Sequence, residues 1–421
     1  ANDHNFSASV IDGAWHHIVS TYNGSTVAMY VDGNSVGSAT AGAVNTGAGG
    51  VPKINKYNYT GKIDQVRIFN KALTSTEVTT LYNEVYCVPT IVPTDYFEPV
   101  IYTGNGVDNR AISNVGFAPD FVWVKNRTDN AMSHVLQDTI RGAGQSKTLD
   151  SSTTSYEGQY GAYGYISSFD SNGFKVTDGL GNHTNKNAKD YVSWNWKAGG
   201  ADVLNEDGTI DSQVSANVDA GFSIVKYTGT GANATVGHGL SSPPEFIITK
   251  NTNDSAENWN CWHTGLSGNG YRILLNTTAA EDGTSPTVWN NNINPTSATF
   301  SLGSGASANG SGNSIIAYCF HSVDGYSKIG SYTGTGAAGN SIVTGFRPAF
   351  VMVKLSSAID GQWVMYDNAR NISNPITKKL AANLSVAEND SGLLGGDSLH
   401  QVNFLSNGFE LLQAGTSVNT N

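Results

Sequence analysis

The segment Pro119–Lys125, with the sequence PDFVWVK, returns twice along the chain of 421 residues. Its copies are Pro244–Lys250, with the sequence PEFIITK, and Pro348–Lys354, with the sequence PAFVMVK. Each copy joins a proline to a run of mainly β-branched and aromatic residues, which is typical of a buried strand. The copies lie roughly 105–125 residues apart, a length that suits a small β-sandwich. The sequence therefore predicts three diverged β modules.

The same motifs surround each copy in the same order. A Tyr-Thr-Gly turn precedes the copy, a second strand follows it, and a Phe-x-Ser-Asn-Gly-Phe hairpin comes later in the first and third modules. The Asn-Gly pair of that hairpin favours a type I′ turn, because both residues tolerate positive φ. The turns are Tyr102–Gly106, Tyr227–Gly231 and Tyr332–Gly336, the second strands are His134–Asp138, Trp259–His263 and Trp363–Asp367, and the hairpins are Phe169–Phe174 and Phe404–Phe409.

The modules differ in how they close. The first ends with the apolar strand Tyr191–Lys197 and the second with Ile315–His321, whereas the third shows no such strand before Asn421. A sandwich that lacks a strand leaves backbone groups unpaired and uncovers apolar side chains. We therefore expect the strand to come from further chain or from a neighbouring subunit. The second route predicts a homo-oligomer, in the form of a homotrimer.

Residues 10–86 follow a different pattern, in which strands lead to a helix. Val27–Val31 alternates and meets Asp32-Gly33, which is the signal of a hairpin. Gly61–Phe69 alternates again and predicts a further strand. Its core candidates are Ile63, Val66 and Ile68.

A helix is predicted at about residues 74–84. Thr74 is followed three residues later by Glu77, the capping-box pattern of a helix start, and Val78 begins an apolar stripe. With the strand Asp12–His17, the hairpin Tyr30–Gly33 and the segment Gly61–Asp64, this order resembles the second half of a laminin-G-like (concanavalin A-like) jelly roll. That family has several more strands before this point, so the resemblance implies that the first module is incomplete at its start.

The laminin-G-like resemblance also implies ligands. Many of these domains bind glycans, and some bind Ca²⁺. Asp12, Asp32 and Asp64 lie on hairpins or strand edges and are the candidate Ca²⁺ ligands. The alternative is that all three are turn residues, because a Ca²⁺ site needs several converging oxygens. No other cofactor is expected.

The repeated modules, about residues 96–421, resemble a β module of marine tailed-phage virion proteins that often accompanies laminin-G-like domains. The resemblance implies a virion protein and offers no catalytic residues. The predicted fold class is all-β, with tandem β-sandwich (jelly-roll-like) modules: one laminin-G-like half-domain and three diverged repeats. The predicted bounds are 1–88 for the half-domain, 89–99 for a linker, and 96–200, 220–323 and 325–421 for repeats 1, 2 and 3, the last one incomplete.

Composition bears on partners and on redox chemistry. The formal net charge is −11 and the basic residues form no cluster, so nucleic-acid binding is not expected. No apolar run is long enough to cross a membrane, so membrane insertion is not expected either. Cys87, Cys261 and Cys319 are too few for a disulfide scaffold. Cys261 and Cys319 either pair within repeat 2 or stay buried as thiols.

Aromatic residues supply the candidate ligand contacts. Tyr156, Tyr160 and Tyr163 lie in a Gly- and Ser-rich stretch that the other repeats match poorly, and Trp289 lies in an Asn-rich stretch of repeat 2. Rigid amphipathic rings on variable loops are typical of recognition surfaces. The strand Tyr191–Lys197 carries two alternate tryptophans, which we assign to a core, with a sugar-stacking platform as the alternative.

No strand carries the E-x-D-x-x-E pattern that puts the nucleophile and the acid of sandwich-fold glycoside hydrolases on one face. The prediction is therefore a non-catalytic protein of the virion surface or the extracellular space. The predicted protein is part of a tail fibre or a similar appendage, where it displays its modules and recognises a host-surface glycan or receptor. Other virion proteins are its predicted partners. The alternatives are a bacterial cell-surface adhesin, a purely architectural capsid decoration or fibre component, and, last, a glycoside hydrolase.

Overall fold

The computed structural model describes residues 15–41, 66–83, 92–254, 256–283, 287–290, 293–392, 394, 396, 399–415 and 417–420. The chain divides into two units, Ala1–Val88 and Pro89–Asn421. The described residues form mainly antiparallel β-sheets, and their α-helices are Ser75–Asn83 (α1) and Ala306–Asn309 (α2). The all-β fold class predicted from the sequence is confirmed.

The first unit contains a three-stranded antiparallel sheet. Its strands are β1 (Ile18–Tyr22), β2 (Thr26–Val31) and β3 (Asn34–Thr40), and they are neighbours in chain order. The predicted hairpin joins β2 to β3, where Asp32 and Gly33 have φ angles of 51° and 75°. Two positive φ angles give the tight turn that matches the right-handed twist of the strands.

The predicted capping box at the start of α1 is confirmed. The Thr74 N–H donates to Glu77 Oε2 at 2.8 Å, and the Glu77 N–H donates to Thr74 Oγ1 at 3.2 Å. The helix places Val78, which is fully buried, against Tyr30 and Leu73 in a small core. The stripe read from the sequence is therefore the face by which α1 packs on the sheet.

The alternating segment Gly61–Phe69 is described only from Val66 onwards, and that part is not a strand. Val66 and Ile68 are 57% and 88% exposed, whereas the alternation predicts them in the core. None of the strands described in this unit pairs with them, so the alternation has no covered face. Ile63 lies outside the described residues.

Repeat 1 is a sandwich of two sheets. Its strands are β4 (Phe97–Thr103), β5 (Arg110–Ile112), β6 (Phe121–Asn126), β7 (Val135–Asp138), β8 (Ile166–Asp170), β9 (Gly173–Val176) and β10 (Asp190–Trp196). The larger sheet has the order β4-β10-β6-β7 and the smaller one the order β5-β9-β8. The strand of the PDFVWVK motif is β6, and all of its residues are buried. The closing strand is β10, which lies between β4 and β6 and runs antiparallel to both.

Repeat 2 follows the same plan with a longer sheet. Its strands are β11 (Val203–Asn205), β12 (Ser212–Asn217), β13 (Phe222–Thr228), β14 (Ala234–Gly237), β15 (Phe246–Asn251), β16 (Asn260–His263), β17 (Ile273–Leu274), β18 (Thr299–Leu302) and β19 (Ser314–Phe320). The orders are β11-β12-β13-β19-β15-β16-β17 and β14-β18. The predicted start of this repeat at residue 220 is too late, because β11 and β12 pair onto β13 and extend its sheet back to Val203.

The two described cysteines of repeat 2 are free thiols. Cys261 and Cys319 are both fully buried. They face different cores, because Cys261 packs in the core shared by the three repeats and Cys319 in the core between the two sheets of repeat 2. Of the two alternatives left open by the sequence, the buried thiols are confirmed.

The described residues of repeat 3 form both sheets but include no closing strand. Its strands are β20 (Asn340–Val343), β21 (Phe350–Val353), β22 (Val364–Asp367), β23 (Leu380–Ala381), β24 (Val402–Leu405) and β25 (Gly408–Leu411). The orders are β21-β22-β23 and β20-β25-β24. Within the described part of this repeat, β21 is an edge strand, and residues 328–333, which correspond to β4 and β13, pair with no strand.

The larger sheets of the three repeats meet in one hydrophobic core, which we call the shared core. Each repeat also has a core of its own between its two sheets. The predicted tandem modules are thus packed around a common centre, and the assignment of Trp194 to a core is confirmed. The shared core includes Phe121, Trp123, Val192 and Trp194 of repeat 1, Phe222, Ile248, Ile316 and Tyr318 of repeat 2, and Trp363, Met365 and Leu380 of repeat 3.

Equivalent backbone hydrogen bonds join the repeats in a closed ring. In each bond, the backbone N–H of a glutamate in one repeat donates to a backbone carbonyl of another repeat. The accepting residue lies two positions after the lysine that ends the motif strand. Repeat 3 bonds to repeat 1, repeat 1 to repeat 2, and repeat 2 to repeat 3, so the unit has the organisation of a trimer within one chain. The three bonds run from Glu388 to Arg127 at 2.9 Å, from Glu157 to Thr252 at 3.0 Å, and from Glu281 to Ser356 at 2.8 Å.

The lysine that ends each motif strand lies at the same three interfaces. Lys125, Lys250 and Lys354 each have an ammonium group within 3.5 Å of a carbonyl oxygen of another repeat. Burial lowers the pKa of Lys125 to about 7 and the pKa values of Lys250 and Lys354 to about 8, because a charged ammonium is poorly solvated there. The acceptors are the carbonyls of Ser385, Thr154 and Thr278, respectively.

Candidate functional site

A cavity of about 680 Å³ lies where loops of repeat 1 meet residues 383–386 of repeat 3. Its volume is in the range of small-molecule binding sites. Its lining carries hydroxyl, amide, imidazole and phenol groups but no carboxylate, ammonium or guanidinium group. We call it the 1–3 pocket. The lining residues are Ala131, Met132, Ser133, Ser152, Thr153, Tyr160, Tyr163, Leu180, Gly181, Asn182, His183, Asn383, Leu384, Ser385 and Val386.

The tyrosines of the 1–3 pocket stand on a short 3₁₀ turn, Gly161–Tyr163. Gly161 permits this turn because a Cβ there would lie 1.8 Å from the Gln145 carbonyl oxygen. The Leu180 N–H donates to the Ala162 carbonyl at 2.7 Å and ties the turn to the loop that follows β9. The sequence of the loop therefore fixes where its aromatic rings point.

The rings form one continuous aromatic face. The ring centroids of Tyr160 and Tyr163 are 6.3 Å apart, and those of Tyr163 and His183 are 5.4 Å apart. Tyr163 is 43% exposed, so its ring is open to solvent on the side that faces the cavity. Such a face offers the apolar contact area and the polar rim that a sugar ring can use.

His183 is a largely buried imidazole among the residues that line the pocket. It is only 6% exposed, and its Nδ1 atom has no hydrogen-bond partner among the described residues. Burial first, and the charge of Lys125 second, lower the pKa of His183 to about 4. The ring is therefore neutral near pH 7 and adds no charge to the lining.

Repeat 3 supplies a fixed wall of the pocket. The Met132 N–H of repeat 1 donates to the Ser385 carbonyl at 2.9 Å. Close by, the guanidinium of Arg127 makes two bonds of 2.9 Å to the carboxylate of Glu388, which also accepts from Arg370. A bidentate, largely buried ion pair holds its partners in one geometry. The pocket consequently depends on the packing of repeat 3 against repeat 1.

The structure brings two of the four predicted ligand contacts together. Tyr160 and Tyr163 both line the 1–3 pocket. Tyr156 belongs to the same loop and is 45% exposed, but it is not among the lining residues. Trp289 is only 2% exposed and packs in the core between the sheets of repeat 2, where it bridges to Leu302. Its ring fills that core and is not a surface contact, contrary to the prediction.

The candidate Ca²⁺ ligands are described only at Asp32. Its Oδ2 atom lies 2.7 Å from His16 Nδ1, and its Oδ1 atom accepts from the His17 N–H at 2.9 Å. The hydrogen bond with His16 is the main reason that the pKa of Asp32 is lowered. Asp12 and Asp64 lie outside the described residues, and the described part of the chain holds no group of three metal-ligating side chains.

The sequence missed His183, Asn182 and the wall at residues 383–386. These residues lie in loops whose motifs do not recur between repeats, and one side of the pocket is more than 200 residues away along the chain from the other. The feature of the sequence that did point to the pocket was the Tyr-rich stretch, which only repeat 1 carries. Among the described helices, none has the length and apolar character needed to cross a membrane.

Comparisons with known proteins agree with the two-unit division. Residues 1–79 match the concanavalin A-like lectin/glucanases superfamily, which confirms the laminin-G-like resemblance. No curated protein matches the chain. Among solved structures, an S-layer domain-containing protein (residues 221–444) from Clostridium thermocellum ATCC 27405 matches at 26% identity, with a TM-score of 0.16. That match covers 18% of this chain and 43% of the other. Residues 92–421 match the family described as Domain of unknown function (DUF7483), and the chain belongs to that family.

Proposed function

We propose that this chain is a non-catalytic binding protein that recognises a neutral glycan of a host surface in the 1–3 pocket. The observation that carries the proposal is the lining of the pocket, with an aromatic face at Tyr160 and Tyr163 and uncharged hydroxyl and amide groups around it. Sugars bind through their apolar ring faces and their hydroxyl groups, and this lining offers partners for both.

The neutral lining favours an uncharged ligand over an acidic or basic one. None of the lining residues carries a formal charge near pH 7, since the pKa of His183 is lowered to about 4. The lining also lacks the pair of carboxylates with which most glycosidases cleave a glycosidic bond. Binding without turnover is the activity that suits such a lining.

The setting of the proposal is the surface of a virion, in a tail fibre or a similar appendage. Its support is the resemblance of the repeats to a module of tailed-phage virion proteins. The match of residues 1–79 to a superfamily named for lectins and glucanases adds support for a carbohydrate ligand. A purely architectural role is the second candidate, because the closed ring of interfaces and the shared core join the three repeats into one compact unit.

The test is a glycan array with neutral and charged oligosaccharides, followed by calorimetry with the best neutral binder. Tyr163→Ala and Tyr160→Ala should each weaken binding by about 5–30-fold, because a buried aromatic contact is worth about 1–2 kcal/mol. Tyr156→Ala is the matched control, since it removes an exposed ring of the same loop outside the lining. It should leave affinity unchanged.

Three outcomes would contradict the proposal. Absence of any glycan signal would favour the architectural role. Binding that survives both pocket substitutions would place the site elsewhere. Release of new reducing ends from a bound oligosaccharide would make the protein an enzyme.

A further inference from the structure

One buried position at the interfaces between repeats holds a smaller residue in repeat 1. His134 occupies it there, whereas repeats 2 and 3 have Trp259 and Trp363. Strand pairing establishes the equivalence, because each of the three lies two positions before the residue that pairs with the third residue of the motif strand. Those pairs are Trp123 with Leu136, Ile248 with Cys261, and Met352 with Met365.

The three residues donate equivalent hydrogen bonds to a neighbouring repeat. Each acceptor is the backbone carbonyl directly after the residue that pairs with Leu136, Cys261 or Met365. The bonds lead from repeat 1 to repeat 3, from repeat 2 to repeat 1 and from repeat 3 to repeat 2, so they close a second ring. They run from His134 Nε2 to Ala381 at 3.0 Å, from Trp259 Nε1 to Asp150 at 2.9 Å, and from Trp363 Nε1 to Leu274 at 2.9 Å.

The indole that is missing from this position of repeat 1 lies on the neighbouring strand. The third residue of the motif strand is Trp123 in repeat 1, where repeats 2 and 3 have Ile248 and Met352. Trp123 is buried in the shared core, and its Nε1 donates to His134 Nδ1 at 2.8 Å. The large and the smaller side chain have therefore changed places in repeat 1, which keeps the core filled.

This exchange puts a ring with two polar atoms at the interface. An indole has one polar atom, which is a donor, whereas a neutral imidazole has a donor and an acceptor. Because His134 Nδ1 accepts from Trp123, the proton of the ring is on Nε2. Nε2 lies 3.0 Å from the Ala381 carbonyl oxygen and 3.0 Å from that of Leu384, so it donates to two carbonyls of repeat 3. Among the described residues, the equivalent tryptophans of repeats 2 and 3 each donate to one carbonyl.

The two carbonyls belong to the wall of the 1–3 pocket. The Leu384 N–H donates to the Ala381 carbonyl at 3.1 Å and closes a turn, and His134 bonds to both ends of that turn. Leu384 lines the pocket, as do Met132 and Ser133, which directly precede His134 in the chain. His134 thus connects the side of the pocket that repeat 1 supplies to the side that repeat 3 supplies.

We propose that His134 is a positioning residue of the 1–3 pocket, which holds the turn Ala381–Leu384 where Leu384 lines the cavity. Its ring is buried and acts on a ligand only through this turn. A binding site whose supporting residues leave it about 1 Å too loose loses its contacts with the ligand. The role of His134 in binding rests on the proposed function, whereas its role in fixing the wall does not.

The first test replaces the residue pair of repeat 1 by that of repeat 2. The double variant Trp123→Ile, His134→Trp should fold with a melting temperature close to that of the native chain, because the same two side chains fill the shared core in repeat 2. Its indole can donate to Ala381 but, as in repeat 2, not to a second carbonyl. Binding of the best neutral glycan from the array should weaken by at least about tenfold, the effect of losing one good contact. Unchanged affinity in the folded variant would overturn the proposal.

Single variants separate positioning from stability. His134→Gln keeps an amide N–H for the two carbonyls and should leave the affinity within about threefold of native, whereas His134→Leu has no donor and should weaken binding by about tenfold. His238→Leu is the matched control, at a fully buried histidine of repeat 2 whose Nδ1 also accepts and whose Nε2 also donates to a carbonyl. It should lower the melting temperature without changing the affinity. Equal losses of affinity in His134→Leu and His238→Leu would overturn the proposal.

Hydrogen exchange of the Leu384 amide tests the wall without any ligand. It should be faster in His134→Leu than in the native chain and unchanged in His134→Gln, because only the first variant removes the donor that holds the turn. Native-like exchange in His134→Leu would overturn the proposal whether or not a glycan binds. Faster exchange, together with no glycan bound by the native chain, would support the fixing of the wall and contradict the proposed function alone.

Discussion

In the part of the chain that the structure describes, repeats 1 and 2 have a closing strand beside the motif strand and repeat 3 has none, although all three begin from the same motif. The motif strand is central in repeats 1 and 2, with β10 or β19 on one side and β7 or β16 on the other. In repeat 3 it is the edge strand β21. The same sequence pattern thus gives two different levels of burial, and the neighbouring strand makes the difference.

The comparison distinguishes two kinds of contact between repeats: those made by the motif and those made by the closing strand. The lysine at the end of the motif lies at an interface between repeats in all three copies, and so does the backbone bond two residues later. These contacts do not require the closing strand. The hydrogen bond from the fifth residue of that strand to an aspartate of another repeat does require it, and it is made twice among the described residues, by Trp194 and by Tyr318. The ring of contacts between the three repeats therefore does not depend on whether each larger sheet has its closing strand.

The largest expected effect comes from the acidic position that the closing strand contacts. Asp138 is fully buried, and its carboxylate accepts from Arg141 at 2.6 Å and from Tyr318 at 2.8 Å. Asp138→Ala should cost about 3–5 kcal/mol in the free energy of unfolding, because it removes the nearest carboxylate partner of the buried Arg141 guanidinium and the acceptor of the buried Tyr318 hydroxyl. His263→Ala, at the equivalent position of repeat 2, should cost less than about 1 kcal/mol, because none of the described closing strands places a side chain on it. Urea denaturation of both variants checks this, and equal costs would mean that the two positions do not differ as described.

A smaller effect is expected for a matched pair of apolar residues. Ile248 of β15 and Met352 of β21 occupy equivalent positions in the motif strand, but Ile248 is buried and Met352 is half-buried. Ile248→Ala should destabilise the unit by about 2–5 kcal/mol, the usual cost of a cavity in a core. Met352→Ala should cost about half as much or less, because its side chain is already partly in water. Thermal and urea unfolding curves measure both, and a larger loss for Met352→Ala would contradict the open edge.

The next expected effect is a pH dependence confined to one of the three interfaces. His134 takes the place that Trp259 and Trp363 have in the other repeats. Trp123 Nε1 donates to His134 Nδ1 at 2.8 Å, and His134 Nε2 donates to the carbonyls of Ala381 and Leu384, so the ring is held neutral. Burial lowers its pKa to about 3.

The sign of this effect follows from the lowered pKa. Between about pH 6.5, the ordinary histidine value, and pH 3, the unfolded chain binds a proton that the folded chain does not. Stability from this group is therefore complete above pH 6.5 and is lost as the pH falls, by about 2 kcal/mol at pH 5. His134→Gln should remove that share of the pH dependence. Urea denaturation of the native protein and of the variant at pH 7 and pH 5 measures it, and an unchanged pH dependence would contradict the assignment.

Much of the fold was predictable because strands and turns leave local signals. The capping box at Thr74, the hairpin at Asp32-Gly33 and the motif strands all follow from spacing within a few residues. The shared core was not predictable in the same way. Alternation shows that one face of β10 carries Val192, Trp194 and Trp196, but it does not show that this face covers other repeats. The acceptors of the motif lysines are backbone carbonyls, which carry no sequence signature.

The candidate site, too, was predictable only where local sequence features indicated it. Tyr160 and Tyr163 were predictable as contacts because their loop has no match in the other repeats. Trp289 satisfied the same criterion but is buried, since an aromatic ring in a variable segment can equally fill a core. His183 and the wall from repeat 3 reach the pocket only through the packing of two distant segments.

Hydrogen exchange of residues 1–421, monitored by NMR or mass spectrometry, tests the central claim most directly, namely that the three repeats share one core and that β21 is an edge strand among the strands described. The account predicts that amides of β6, β10, β15 and β19 exchange together, only through unfolding of the whole unit. It also predicts that amides of residues 328–333 and of the open edge of β21 exchange much faster. Equal protection of β6, β15 and β21 would contradict the open edge. Separate unfolding of each repeat would contradict the shared core.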